Sequence, residues 1–326
     1  MTKVEKLLQE LIAISSVTGN EIAIIEELDK RLSSVFDITN IPVDEHRSNL
    51  LCVKGSPRIL LVAHVDTVTG EVEQRIDDEF IFGRGSCDNK GAASAMIIAA
   101  LKAHEEGLED FGLLFTIGEE STFDGAIAAR DHFKKNEIEP ERIMIGEPTE
   151  LEIVNAQFGI FCIEVSCTGT AEHSSTFSPN SAIHNLTKLL SHMLDLSLTD
   201  TTFHISHITG GVAENVIAPN ASATIVFRSA HPNIADIVTE HVSKSNTEHA
   251  SRVVKSIAPV DHSLEGDEPC WAPYFTEMAF LSNSVVCGPG SIADAHTDNE
   301  RVSREQLNRA VDVYHGFLVR RDAANG

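Results

Sequence analysis

Apolar residues at Val4, Leu7, Leu8, Leu11, Ile12 and Ile14 recur at helical spacing, and 22–32 repeats the pattern after Thr18-Gly19. Two amphipathic helices are predicted there. The run Arg58-Ile59-Leu60-Leu61-Val62-Ala63 is short, branched and almost wholly apolar, as a buried strand is, and it ends on His64-Val65-Asp66. A small-residue helix over 91–103 then leads to a strand over 112–117 that ends on Gly118-Glu119-Glu120. A further helix over 125–135 leads to a strand over 142–145 that ends on Gly146-Glu147-Pro148. Strands alternating with helices predict an α/β fold, a mainly parallel sheet covered by helices on both faces. Ligand sites in such sheets lie at the carboxyl ends of the strands, where all three polar clusters fall.

After Ala156 the rhythm becomes strand (161–167), helix (181–194), two strands (202–208 and 221–228), helix (234–242) and strand (251–257). That order is a split βαβ sandwich, an α+β ferredoxin-like arrangement. A strand over 283–287 and a helix over 304–318 resume the earlier style, so the small domain reads as an insertion. The expected division is 1–156 and 259–326 for the first domain and 157–258 for the insertion.

The chain has 326 residues, a length that suits two moderate domains. No apolar run approaches the roughly 20 residues of a membrane span, and the N-terminal residues lack a signal peptide's uninterrupted apolar stretch. With no CxxC pair among six cysteines, reduced thiols and a cytoplasmic location are expected. A formal charge of −24, from 49 acidic and 25 basic residues, repels a phosphate backbone and argues against nucleic-acid binding. Part of that acidity is solvated surface, and carboxylates that bind divalent cations also contribute.

The chemistry gathers at the strand ends. His64 has a carboxylate, Asp66, two residues on, and metal-bound histidines commonly donate their second ring nitrogen to such a group. Asp88 follows the glycine-rich Gly83-Arg84-Gly85-Ser86 at the start of a helix, where its plainer role is to cap that helix. Glu119 and Glu120 are adjacent at the end of a buried strand and repel one another unless cations or protons compensate. One of them can bind metal while the other faces a water as general base. Glu147 adds another carboxylate at a third strand end. A long loop, 288–300, carries His296. Oxygen and imidazole donors without thiolate suit a catalytic pair of zinc or cobalt ions, or manganese. Cys87, beside Asp88, reads as a partly buried thiol rather than a ligand.

On these segments the chain resembles the M20 metallopeptidase family, which includes acetylornithine deacetylase, succinyl-diaminopimelate desuccinylase, aminoacylase and carboxypeptidase G. SVTGNE at 16–21, HVD, GRGSCDNKG, GEES, GEPTE and GPGSIADAH stand in the family's order over essentially the whole chain. The resemblance implies a zinc-peptidase-like catalytic domain with an inserted dimerisation domain. It makes Asp88 the carboxylate bridging two divalent metal ions, with His64 and Glu147 on one and Glu120 and His296 on the other. Asp66 would orient His64, and Glu119 would be the general base and acid. Gly169-Thr170-Ala171-Glu172-His173-Ser174-Ser175 is similar to the family's GxxxHSS segment, whose histidine stabilises the oxyanion in the partner subunit's site. His173 takes that role in an expected homodimer. The segment 210–217 followed by Arg228 resembles the family's substrate-carboxylate segment, with Asn215 and Arg228 holding the amino-acid end. Phe227 departs from it, standing where relatives often carry a small apolar residue after an acidic one.

The expected reaction is hydrolysis of the amide of an N-acyl amino acid. N-Acetylornithine comes first, because GPGSIADAH and the HSS segment resemble acetylornithine deacetylases most closely. Succinyl-diaminopimelate, a carrier-protein-linked lysine or ornithine, and a dipeptide or carboxypeptidase substrate are the alternatives. Two readings of other classes fare worse. A non-catalytic metal-binding protein would not need Glu119 beside a complete ligand set, and GRGSCDNKG lacks the spacing of a nucleotide phosphate loop.

Overall fold

Thr2 opens the first helix with a capping box: its amide donates to Glu5 Oε2 at 2.8 Å, and its Oγ1 accepts the Glu5 amide. In the computed structural model, which describes residues 1–176, 180–263 and 268–320, helices α1 (Lys3–Ile12) and α2 (Ile22–Leu32) bury the predicted apolar stripes. Strands β1 (Asp37–Pro42), β2 (Ser48–Lys54), β3 (Ile59–His64), β4 (Arg75–Ile76) and β5 (Phe80–Phe82) follow, then α3 (Lys90–Glu105), β6 (Phe111–Thr116), α4 (Asp124–Lys135) and β7 (Arg142–Ile145). The chain then passes through β8 (Ala156–Gln157), β9 (Gly159–Thr168), α5 (Ala182–Leu194), β10 (Thr201–Gly210), β11 (Asn220–Ser229), α6 (Ile234–Ser243), β12 (Ala250–Ile257), β13 (Val260–Asp261) and β14 (Trp271–Ala272). A 3-10 turn (Glu277–Ala279), β15 (Ser284–Val286), β16 (Arg301–Ser303) and α7 (Arg304–Val319) complete it.

These elements form two units, one of residues 1–155, 262–270 and 276–326, the other of 156–261 and 271–275. In the first, the main sheet runs β1-β2-β6-β3-β7-β15. Its β6, β3, β7 and β15 are mutually parallel, and β1 and β2 add an antiparallel hairpin at one edge. The hairpin escapes periodicity because β1 (DITNIP) is largely exposed and alternates no apolar set. Every side chain of β6 is buried, as a central strand covered on both faces requires. Alanines of α3, at 92, 93, 95, 99, 100 and 103, are all within the core, where a small side chain lets the helix lie close to its neighbours.

The order of the parallel strands places the site. From β3 the chain crosses by α3 to β6 on one side, and from β6 by α4 to β7 on the other. The end of β3 is therefore a topological switch point, where an open α/β sheet forms its crevice. Register keeps the strand ends level, with His64 opposite Thr116, Val62 opposite Ile145, and Ile145 opposite Val286.

The second unit has the order β10-β11-β9-β12, every neighbouring pair antiparallel, with α5 and α6 on one face. Strand β11 alternates strictly: Ala221, Ala223, Ile225 and Phe227 are buried, and Arg228 takes the opposite parity. Phe227 is fully buried between Phe203 and Phe161, at ring-centroid distances of 5.0 and 6.0 Å. This residue, which departs from the family segment, is a core residue of the sheet. No helix among the described residues is long and apolar enough to cross a membrane.

Candidate active site

His64 is the last residue of β3 and is fully buried. Its Nδ1 lies 3.1 Å from the Asp66 carbonyl oxygen and 3.5 Å from Asp66 Oδ1. The nearer carbonyl fixes the proton on Nδ1 and turns Nε2 to the site. Nε2 stands 2.8 Å from Asp88 Oδ1 and 3.6 Å from Glu147 Oε1. The second Asp88 oxygen faces the other histidine, His296 Nε2, at 3.2 Å. That same Nε2 lies 2.8 and 3.0 Å from the two oxygens of Glu120. Asp88 thus divides its carboxylate between two imidazoles, each of which has a second carboxylate of its own.

The backbone builds this arrangement. Gly118, at φ 71°, turns the chain sharply after β6, and a Cβ there would collide with Asp124. Gly288 lets the loop after β15 pass against the Glu147 backbone, where a Cβ would come within 2.5 Å of its carbonyl oxygen. His296 itself adopts φ 61°, a left-handed conformation uncommon outside glycine. Asn89 donates from its side chain to the Gly146 carbonyl, tying the Asp88 loop to the loop that carries Glu147.

Asp66 does more than face His64. Its carboxylate accepts the amides of Glu119 and Glu120, at 3.1 and 3.2 Å, and the Thr18 hydroxyl at 2.8 Å. The expected partner of His64 is therefore also the brace of the Glu119-Glu120 turn. Asp88 does not cap α3, whose N-cap is Asn89 with no side-chain hydrogen bond to the helix amides. Cys87 Sγ faces the Ser291 carbonyl oxygen at 3.4 Å. Its thiol is buried and pushed well above its usual range by burial and by the charge on Asp88.

Electrostatics give the site its character. Burial, with Asp88, Glu277 and Glu120 nearby, pushes Glu119 well above the usual carboxylate range. Burial and Asp88 do the same to Glu147. His296 is raised to about 10 by hydrogen bonds to Asp88 and Glu120. His64 is raised as well: burial opposes its charge, but Asp66 and Asp88 outweigh it. The cluster calls for positive charge. His64, Asp88 and Glu120 also bring donor atoms within 4.8 Å of one another, so the residues fit bound divalent cations.

Two carboxylates at this site were not singled out from the sequence. Glu277 is fully buried, accepts the Thr116 hydroxyl on one oxygen, and on the other has no hydrogen-bond partner among the described residues. Burial raises it to about 7. Its signal was a lone acid inside the apolar run Phe275 to Leu281. Glu300, also fully buried, accepts the amides of Cys87 and Asp88.

The remaining candidates belong to the second unit. His173 forms an isolated bridge with Val216, and the Ser174 amide donates to the Asn215 carbonyl at 2.9 Å, so His173 and Asn215 share one corner. His173 Nδ1 lies 2.8 Å from the Ser175 hydroxyl. Arg228 is half-buried on β11.

Residues 60–320 match the model of peptidase family M20/M25/M40. The chain belongs to this family. Membership makes it a metal-dependent hydrolase. A Peptidase M20 domain-containing protein of Schizosaccharomyces pombe is 31% identical to this M20-family chain over 95% of it and 83% of the relative. A probable carboxypeptidase of Aspergillus flavus is 29% identical over 85% of the chain and 78% of the relative. Among solved structures, a tripeptidase from Staphylococcus aureus superposes with a TM-score of 0.83 at 21% identity, covering 97% of both chains. That likeness shows the M20 fold.

Proposed function

We propose that this M20-family hydrolase cleaves an amide bond next to a free α-carboxylate, in a short peptide or an N-acyl amino acid, at a site built on Asp88. The observation that carries this reading is the division of the Asp88 carboxylate between His64 and His296. His64, Asp88 and Glu147 would hold one divalent ion and Asp88, Glu120 and His296 the other, zinc by donor type, with cobalt or manganese as alternatives. Ions bound there would polarise the scissile carbonyl and acidify a water. Glu119 holds that water, takes its proton, and returns it to the leaving amine. Asp66 keeps Glu119 and Glu120 in register through their amides. His173 donates to the developing oxyanion, contributed from a partner subunit in a homodimer, and Asn215 and Arg228 grip the substrate carboxylate, for which a guanidinium fork is suited.

The names carried by relatives favour a peptide substrate, as in a carboxypeptidase or a tripeptidase. The GPGSIADAH segment favours deacylation of N-acetylornithine as a second reading. Metal analysis of the purified protein, followed by turnover of a panel of dipeptides, tripeptides and N-acyl amino acids, tests both. Hydrolysis of N-acetylornithine alone would select the second, and a protein without bound metal or amidase activity would reject the proposal.

A further inference from the structure

The loop that carries Asp88 has its backbone amides satisfied from a distant part of the chain. A helix start normally has its free amides met by a local side chain, yet neither Asp88 nor Asn89 supplies one at α3. The amides of Cys87 and Asp88, which lie just before that helix, both donate to Glu300 Oε1, each at 3.0 Å. Glu300 Oε2 receives Arg84 Nη1 at 2.7 Å, and the Arg84 Nε donates to the Gly70 carbonyl at 2.9 Å. The Gly85 amide also faces the Glu300 carboxylate, and the Glu300 carbonyl accepts the Gly83 amide at 3.2 Å. Glu300 follows His296 on the same loop. One short segment therefore brings an imidazole to Asp88 Oδ2 and a carboxylate to the Asp88 amide.

We propose that Glu300 is a positioning residue for the cation centre. By accepting the Cys87 and Asp88 amides, it fixes the backbone from which the Asp88 carboxylate projects, aims its two oxygens at His64 and His296, and holds the two loops in register. This rests on the two-ion reading above. Length and acceptor position matter in this role, because Glu300 reaches the loop amides with one oxygen and Arg84 with the other and touches no metal-facing atom.

The test is calorimetric titration of metal-free protein with Zn²⁺, and with Co²⁺ followed by visible absorption, for the parent and for Glu300→Gln, Glu300→Asp and Glu300→Ala. Glutamine keeps an acceptor oxygen at full reach for the Cys87 and Asp88 amides but turns an N–H toward Arg84, so Glu300→Gln is expected to weaken binding by less than about tenfold, while the shorter Glu300→Asp and the truncated Glu300→Ala weaken it roughly 10- to 100-fold and alter the cobalt spectrum. If circular dichroism shows Glu300→Ala unfolded, the glutamine and aspartate variants decide. An aspartate variant equal to the parent, a glutamine variant as weak as alanine, or an alanine variant with lowered melting temperature but unchanged affinity and spectrum would each overturn the proposal. A parent that binds fewer than two ions overturns the two-ion reading and takes the proposal with it; a two-ion parent with unaffected variants overturns the proposal alone.

Discussion

The carboxylate of Asp66 accepts the backbone amide of Glu119 at 3.1 Å, so the residue that faces His64 Nδ1 also sets the position of the proposed base. Asp66→Ala removes the acceptor for two amides and a hydroxyl in a fully buried place. The expected outcome is a fall in kcat of roughly 10- to 100-fold with weakened metal binding, as for other groups that hold ligands in place. Steady-state kinetics with metal content measured on the same sample checks it; unchanged kcat at full metal occupancy would remove Asp66 from the positioning role.

Glu119→Gln preserves the shape of the side chain but cannot take a proton. Both ions should remain bound while kcat falls about 10²- to 10⁴-fold, the range for loss of a general base. Concurrent loss of metal would instead make Glu119 a ligand.

Removing metal should destabilise the first unit, because its strand-end carboxylates then repel one another. Ligand linkage gives about 2.7 kcal/mol of stabilisation at a hundredfold excess of free ion over Kd. A chelator is expected to lower the melting temperature, and Zn²⁺, Co²⁺ or Mn²⁺ to restore it in the order of their affinity. Calorimetry with and without chelator reads this directly.

Glu277 gives a pH signature in the metal-free protein. Burial raises its carboxyl from 4.5 to about 7. Between those values the unfolded chain has lost a proton that the folded chain keeps, so stability falls as pH rises through the window. Glu277→Gln abolishes that fall. Its unfolding free energy in urea should therefore gain on the parent between about pH 4.5 and 7 and hold the gain above, by up to about 3 kcal/mol at 1.36 kcal/mol per pH unit. Parallel pH profiles for the two proteins would show that Glu277 does not titrate in this window.

Arg228 is proposed to hold the substrate carboxylate. Arg228→Met is expected to raise KM on the order of tenfold or more for a free acid, with little change for its methyl ester, since only the acid offers a charge-assisted pair. An equal effect on acid and ester would assign Arg228 to the sheet instead.

Much of the site was legible because its signals are local. The strands that end in His64, Glu119-Glu120 and Glu147 declare themselves by uninterrupted apolar runs, and the residue types beyond them name the chemistry. Glu300 and Glu277 were not legible as site residues, since their partners, Asp88 and Thr116, are far away in sequence. The β1–β2 hairpin was missed because an exposed edge strand carries no clear alternation.

The sequence by itself determined the donor types, the alternation of strands and helices, and the strand-end placement of the carboxylates, because each follows from neighbours along the chain. Only the tertiary structure decided which oxygen of Asp88 faces which histidine, that Asp66 braces Glu119, and that Glu300 accepts the amides of Cys87 and Asp88. Those outcomes depend on strand register and on hydrogen bonds between distant segments. Direction and distance, unlike composition and period, exist only once the sheet has brought those segments together.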